Sequence, residues 1–504
     1  MRTDSFRNRY IVKVGSSIII AALNIVIQLI LPRAFSVEEF GYYSYNLNVL
    51  TSVVTMINLS TSDAMVSKFS KRNEEIGIVL FYLKYFAIAA LLLCVGVTVL
   101  FPIGFIQSTF AGQSFVIVIL GLLTAIVARM LTDTICIYDA FAVSRYPAVM
   151  QILLKVSVSL FVSIVYIAGH LSLLLFYIMQ ACMTGVIVLI LILAIIREQR
   201  KRYPTIISKG FRQYAKEYFV YCRPLVVALA ISQITTIIMN WALMNWAGAT
   251  EQAIFGAAWQ LNTLVGYIFS PYAELSKREF AVLYNDKKQL NIRLDQALRL
   301  MFWITSYFSI FIGIEADWIL PVIYGDKYTG AYFVTLLIMY YTIYQAWGQI
   351  TGSLMLGLEL TRLNAINTVV GQVMTLTAVF IFQIPNFIWP QGLGATGIAL
   401  NYLSVCFLTV QIRIVVIGKK LGMKVIRELT IQILPLVLCT GLSIAIKYVL
   451  NEVIQIESIG GNLLKIGISG VLYTTVIAGI VWMRPSLVGL SRASILSSPR
   501  RKKY

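Results

Sequence analysis

The chain has 504 residues, of which 59% are hydrophobic and only 12% charged, with a mean hydropathy of +0.81. That excludes a soluble globular protein of this size and points to an integral membrane protein. The net charge of +19 comes from 41 Lys and Arg against 22 Asp and Glu, and its placement bears on topology more than on partners.

Apolar runs of about 20 residues are long enough to cross a bilayer. Fourteen are expected: Val14–Leu31, Tyr42–Thr61, Ile76–Phe101, Ser114–Asp139, Ala148–Gly169, Leu171–Ile196, Pro224–Trp246, Phe255–Ala273, Leu300–Ile323, Ala331–Leu356, Ala365–Ile384, Gly394–Ile417, Thr430–Leu450 and Leu463–Met483. The first follows Arg2, Arg7, Arg9 and Lys13 but has spanning length and no small-residue cleavage site, so it reads as a membrane helix and not a signal peptide. The six cysteines (Cys94, Cys136, Cys182, Cys222, Cys406, Cys439) lie in or beside these runs. Without CxxC or Cys/His spacing they suggest neither a disulfide framework nor a metal site.

Fourteen crossings place both termini on one side. Lys84, Arg129 and Lys155 fall inside spans, and Arg33, Lys327, Lys447 and Lys465 on the far side. The rest of the 41 Lys and Arg flank the side of the termini, which the positive-inside rule makes cytoplasmic. Basic runs such as Arg197 to Arg202 and Arg500 to Lys503 then hold topology and meet anionic lipid, in preference to nucleic acid. No connection is long enough for a soluble catalytic domain. Six spans precede a cytoplasmic linker, which suggests an all-α polytopic fold of two parallel six-helix lobes, 1–200 and 224–420, joined by 201–223 and followed by an appended pair and basic tail, 421–504. A faint repeat agrees: Phe40-Gly41 with Leu47-Asn48, and Phe255-Gly256 with Leu261-Asn262.

The hairpin 114–169 carries Arg129, Asp133 and Lys155. An intramembrane charge costs roughly 3 kcal/mol on insertion scales, so three together call for a polar interior. Lys84, Arg129 and Lys155 fall at about 10–15 Å depth from the inner ends of three helices, a cationic level suited to phosphate. The alternatives are snorkelling for the two lysines and an i,i+4 ion pair for Arg129 and Asp133. Asp133 is otherwise a protonatable coupling group, and is taken as the one deep carboxylate.

Polar residues at helical spacing mark further faces: Asn24 and Gln28; Asn48, Thr51, Thr55 and Asn58; Gln151, Lys155, Ser159 and Ser163. In the second half, read as almost uncharged, Asn240, Tyr341, Gln345, Gln349 and Asn367 with neighbouring aromatics could hydrogen-bond and stack on sugar. Each of these also has a reading as helix packing.

Several segments taken together resemble a known family: Leu31-Pro-Arg-Ala-Phe-Ser-Val-Glu-Glu-Phe-Gly-Tyr-Tyr43, Phe255-Gly-Ala-Ala-Trp-Gln260, Pro271 to Asp286 and Ile323-Tyr-Gly-Asp-Lys-Tyr328. With the 6 + 6 + 2 helix count they look like the Wzx-type polysaccharide transporters of the multidrug/oligosaccharidyl-lipid/polysaccharide (MOP) exporter superfamily. The resemblance implies a V-shaped pair of lobes with alternating access, flipping a polyprenyl-diphosphate-linked oligosaccharide from the cytoplasmic to the outer leaflet of the cell (inner) membrane for O-antigen, capsule or exopolysaccharide synthesis. By location Arg33, Lys84, Arg129 and Lys155 would meet the diphosphate. A monomer is expected, with membrane lipids and a glycan polymerase and chain-length components as partners. No cofactor is expected apart from a coupling ion, H+ or Na+, between which the sequence does not choose.

Lipid II flippases of the same superfamily have a similar helix count, but their arginine-rich first helix is absent here, Arg33 being the lone arginine at that end. A cation-coupled multidrug exporter is the second transport reading, disfavoured by the charge sign. A membrane glycan polymerase or ligase would need acid, base or Arg groups on a substantial outer loop, whereas the loops are short and the lone histidine, His170, reads as structural. A noncatalytic scaffold would not explain the buried charges.

Overall fold

The computed structural model describes residues 6–489 apart from 70–71, 73, 142, 203–209, 284–285, 359, 390–391, 423–426, 428–429 and 456–457. The tail run Arg500 to Lys503 and residues 203–209 of the 201–223 linker therefore lie outside the described residues. Every long apolar run is helical: α1 Phe6–Ala34, α2 Val37–Asn58, α3 Thr61–Phe69, α4 Ile76–Leu100, α5 Phe105–Thr109, α6 Phe115–Ala140, α7 Arg145–Ile167, α8 Leu173–Arg202, α9 Phe211–Ala242, α10 Ala249–Val282, α11 Lys287–Ile314, α12 Ala316–Tyr324, α13 Tyr332–Gly357, α14 Thr361–Phe382, α15 Gly394–Leu421, α16 Ile433–Val453 and α17 Ile459–Met483. The described residues contain no strand beyond one isolated bridge, Pro385 with Trp389.

Among the described residues, eleven helices are long and apolar enough to cross a membrane, and α2 with α3 makes a twelfth as a span bent by 52°. The two remaining expected spans are α10, of 34 residues, and α13, of 26. Both are long enough but dilute their apolar residues with Trp, Gln and Tyr.

Lipid, not water, is the solvent for which the surface is built. Exposed positions along α4 include Ile88 (55%), Leu91 (64%), Val95 (50%) and Val99 (59%), a stripe at helical spacing. The opposite face buries Ile78, Val79, Tyr82 and Phe86 against neighbouring helices.

Contacts divide the chain into two units, Met1–Ala253 and Ile254–Tyr504. In the first, α2 packs on α6 and α9, α6 on α8, and α1 on α7. The division falls after the seventh span, where the sequence places it before: α9 starts inside the expected linker at Phe211 and stays with the first unit through its packing on α2. Tyr218 helps to fix that extension, its hydroxyl donating to the Ile78 carbonyl at 2.9 Å. In the second unit α11, α13 and α15 pack in sequence, α14 on α15, and α16 and α17 on α11 and α12.

Local signals set the joints. Ser36 and Glu39 form a reciprocal capping box at the start of α2, satisfying two orphan amides. The α2–α3 joint takes left-handed φ at Leu59 (51°) and Ser60 (58°), unfavourable for side-chain-bearing residues. Gly41 permits a close helix crossing, since a Cβ there would lie 2.0 Å from the Ala249 carbonyl oxygen.

Candidate functional site

Arg129 sits at the centre of a buried polar hub. Its Nε donates to Asp133 Oδ2 at 3.1 Å and its Nη2 to Ser62 Oγ at 2.9 Å. Asn58 Nδ2 donates to the same carboxylate oxygen and to Tyr82 Oη, each at 3.1 Å, and Tyr82 Oη also bonds Asp133. The Ser62 amide and hydroxyl both donate to Asn58 Oδ1 at 3.2 Å. One carboxylate and one guanidinium thus bind α2, α3, α4 and α6 across the strained joint at Leu59. Asp133 is 2% and Asn58 1% exposed, so both are enclosed in this hub. The ion-pair reading of Arg129 and Asp133 is what the geometry displays.

The other expected cations stand elsewhere. Lys155 is half-buried on α7, four residues before Ser159, whose hydroxyl donates to the Leu23 carbonyl of α1 at 3.2 Å. It therefore faces the α1 side, and among the described residues it makes no hydrogen bond or ion pair. Asn24, Gln28 and Gln151 are half-buried on the same two helices, and Gln28 Oε1 is buried with no hydrogen-bond partner. Lys84 is exposed and belongs to the Ile88–Leu91–Val95 stripe of α4; its four-carbon stem suits an acyl-chain surface with the ammonium drawn toward headgroups. Arg33 is exposed in the last turn of α1. No one surface gathers Lys84, Arg129 and Lys155, because their helices turn these side chains toward different neighbours.

The expected sugar path is likewise divided. Asn240, assigned from sequence to the second lobe, lies in the first unit, where its Oδ1 accepts from Asn48 Nδ2 and Gln252 Nε2, each at 3.1 Å. Tyr341 is only 8% exposed, with Trp259 stacked on it at 5.7 Å and Tyr402 edge-on at 5.3 Å. Its ring is buried in an aromatic cluster, which corrects its reading as an open stacking surface. Gln345 and Gln349 are half-buried one and two turns on, and Gln345 Oε1 is buried without a partner.

Charged residues inside expected spans escaped the sequence reading, among them Arg413, Glu315 and Asp317. Arg413 on α15 donates through Nη1 to the Gly348 carbonyl at 2.7 Å. With the Asn367 amide turned to present its oxygen, Nε and Nη2 also donate to it at 3.2 and 2.8 Å. Gly352 leaves room for the guanidinium, a Cβ there meeting Nη1 at 3.1 Å. The second half is therefore charged at depth, and Asn367 is the arginine's partner. Glu315, fully buried between α11 and α12, is a second deep carboxylate in addition to Asp133. In the sequence Arg413 is the single charge of its apolar run and Glu315 stands with Asp317 in another, and charges inside apolar runs are the signal that finds them.

On the side of the termini, Glu217 at the start of α9 pairs with Arg72 at 2.5 Å and with Lys68 at 3.6 Å. The hydrogen bond from Arg72 to Glu217 holds the guanidinium above its ordinary pKa. A groove of about 520 Å³ opens beside this pair, lined by Lys68, Gln213, Lys216, Glu217 and Val220.

No protein-family model matches the sequence, and no curated protein matches it. Solved structures do. The chain is similar to the lipid II flippase MurJ in an inward closed conformation, with TM-score 0.66 and 14% identity over 95% of this chain and 99% of that one. It is similar to an inward-facing MATE multidrug resistance transporter, with TM-score 0.59 and 15% identity over 81% of this chain and 98% of that one. A MOP superfamily transporter from Pyrococcus furiosus Vc1 matches at TM-score 0.54 and 13% identity, over 82% and 96%. The fold is that of the MOP superfamily transporters, a multi-pass all-α membrane protein.

Proposed function

We propose that the chain is a flippase that moves a polyprenyl-diphosphate-linked oligosaccharide from the cytoplasmic to the outer leaflet for surface polysaccharide synthesis. The observation that carries this reading is the extent of the structural likeness. The lipid II flippase spans 95% of this chain against 81% and 82% for the MATE transporter and the Pyrococcus protein. A lipid-linked cargo also suits the side chains. Its headgroup needs a polar route through a hydrocarbon layer of ~30 Å while the tail stays in lipid. Lys155, with Asn24, Gln28 and Gln151 beside it on α1 and α7, supplies an unpaired cation and amides for a diphosphate. Arg129 is committed to Asp133 and acts through the fold. Arg33 and Lys84, near opposite ends of their helices, are placed to attract phosphate at the two headgroup levels. Gln345 and Gln349 offer amides to sugar hydroxyls in the second unit, while Asn48, Asn58, Asn240, Tyr341 and Asn367 are framework.

The membrane is the cell membrane, with both termini cytoplasmic by the Lys/Arg bias. The working unit is a monomer that hands its product to a glycan polymerase and chain-length components, and it needs no cofactor beyond a coupling ion. The test is reconstitution into vesicles with a fluorescent polyprenyl-diphosphate oligosaccharide, scored by its passage to the opposite leaflet. The exporter reading draws on the MATE likeness. It predicts efflux of cationic dyes from the same vesicles and no movement of the lipid-linked saccharide.

A further inference from the structure

Glu315 has no part in the cargo route and is among the most enclosed polar groups of the second unit. Its carboxyl is fully buried, as are Ser443 on α16 and Ser469 on α17. Ser469 Oγ donates to Oε1 at 2.9 Å and Ser443 Oγ to the same oxygen at 3.4 Å. Oε2 is buried with no hydrogen-bond partner. The two serines lie ten residues from Val453 and Ile459, the helix ends that face each other across the connecting loop, so the carboxyl lies about 15 Å below those ends.

The charges around it are few and fixed. Lys447 on α16 pairs with Asp317 on α12 at 2.7 Å, donates to the Ile314 carbonyl at 2.5 Å and lies 5.0 Å over the Tyr332 ring of α13. Lys465 on α17 is bound to Asn451 at 3.3 Å and lies 5.4 Å over the Trp318 ring. One turn below the serines, Cys439 and Tyr473 are buried neutral groups. Two lysines against Asp317 leave one positive charge, which an ionised Glu315 balances. The carboxylate nonetheless has one oxygen doubly solvated by hydroxyls and the other bare, in a medium where a bare charged oxygen is costly. A metal cation would require a shell of several oxygens, whereas only two hydroxyls converge here, both on Oε1. A proton needs one lone pair, and Oε2 offers it.

We propose that Glu315 is the proton-binding site of the transporter. It takes a proton at Oε2 while α16 and α17 are docked on the α11–α12 break and returns it to water when that contact loosens. One O–H bond forms and breaks, and no electrons move. The coupling role rests on the transport reading above; the proton site itself does not, and the two are separable by experiment.

Infrared difference spectra of the full-length protein in lipid, taken across a pH titration, read protonated carboxyl groups directly. The expected result is a titrating carboxyl C=O band that is absent in Glu315→Gln, which keeps size and packing. In Ser469→Ala the band should titrate roughly one pH unit higher, because the lost hydrogen bond favoured the charged form. A band unchanged in Glu315→Gln, or no titrating band, overturns the site. In vesicles, a pH gradient should accelerate saccharide movement by the wild type at least tenfold, and Glu315→Gln should retain gradient-free exchange while losing that acceleration. Acceleration by a Na+ gradient and not by pH would overturn the coupling role. Vesicles that move no saccharide at all, with the band intact, count against the flippase reading and leave the proton site standing.

Discussion

Arg129 and Lys155 carry the same charge inside neighbouring spans, yet one is spent on structure and the other is open. The difference follows from what stands one turn away. Asp133 captures Arg129 through Nε, and Ser62 takes a further donor, while Lys155 has apolar Met150, Ile152 and Leu154 around it and no acid at i±3 or i±4. Removing one partner of a buried pair leaves the other uncompensated, at roughly 3–5 kcal/mol. Arg129→Ala should therefore lower the detergent melting temperature, with most of the loss recovered in the Arg129→Met, Asp133→Asn double variant. Saccharide movement lost without any stability loss would instead make Arg129 a cargo residue. Lys155→Gln should do the opposite: stability within about 0.5 kcal/mol of wild type and transport down at least tenfold. At this scale the sequence exposed the i,i+4 pair at once. It could not say which of three cations lacked a partner, because Asn58, Ser62 and Tyr82 reach the hub only through tertiary packing.

At the scale of elements, hydropathy located the spans and missed their breaks. The Leu59–Ser60 joint and the Glu315 break interrupt runs that remain apolar on both sides, so an average over about 20 residues passes over them. Start signals were plainer, as in Ser36-Val-Glu-Glu39, where spacing alone specifies the capping box. Glycine shows how far local sequence carries. Gly41 and Gly96 are both helical, but a methyl on Gly41 would overlap the Ala249 carbonyl while one on Gly96 meets nothing within 4 Å. Gly41→Ala should cost about 1–3 kcal/mol, and Gly96→Ala should be neutral or stabilising by up to about 1 kcal/mol. Thermal melts of the two variants, side by side, check the packing of α2 on the start of α10. Equal melting temperatures would contradict it.

For the whole molecule, Lys and Arg placement predicts both termini on the cytoplasmic side. A single cysteine introduced into 102–113 should then react with an impermeant maleimide from outside intact cells, and one in 490–504 only after permeabilisation. The reverse pattern would invert the topology. The fold class was legible because fourteen apolar runs admit few other architectures. The cargo route was not, since facing surfaces depend on helix rotation that no single sequence fixes. The central claim is that this fold carries a diphosphate-linked saccharide and that Lys155 meets it. Its most direct measurement is leaflet exchange of a fluorescent polyprenyl-diphosphate oligosaccharide in vesicles holding wild type, Lys155→Gln or Lys84→Gln. The account predicts rapid exchange for wild type, at least a tenfold loss for Lys155→Gln and a smaller loss for Lys84→Gln. Exchange no faster than in protein-free vesicles, or Lys155→Gln indistinguishable from wild type, would contradict it.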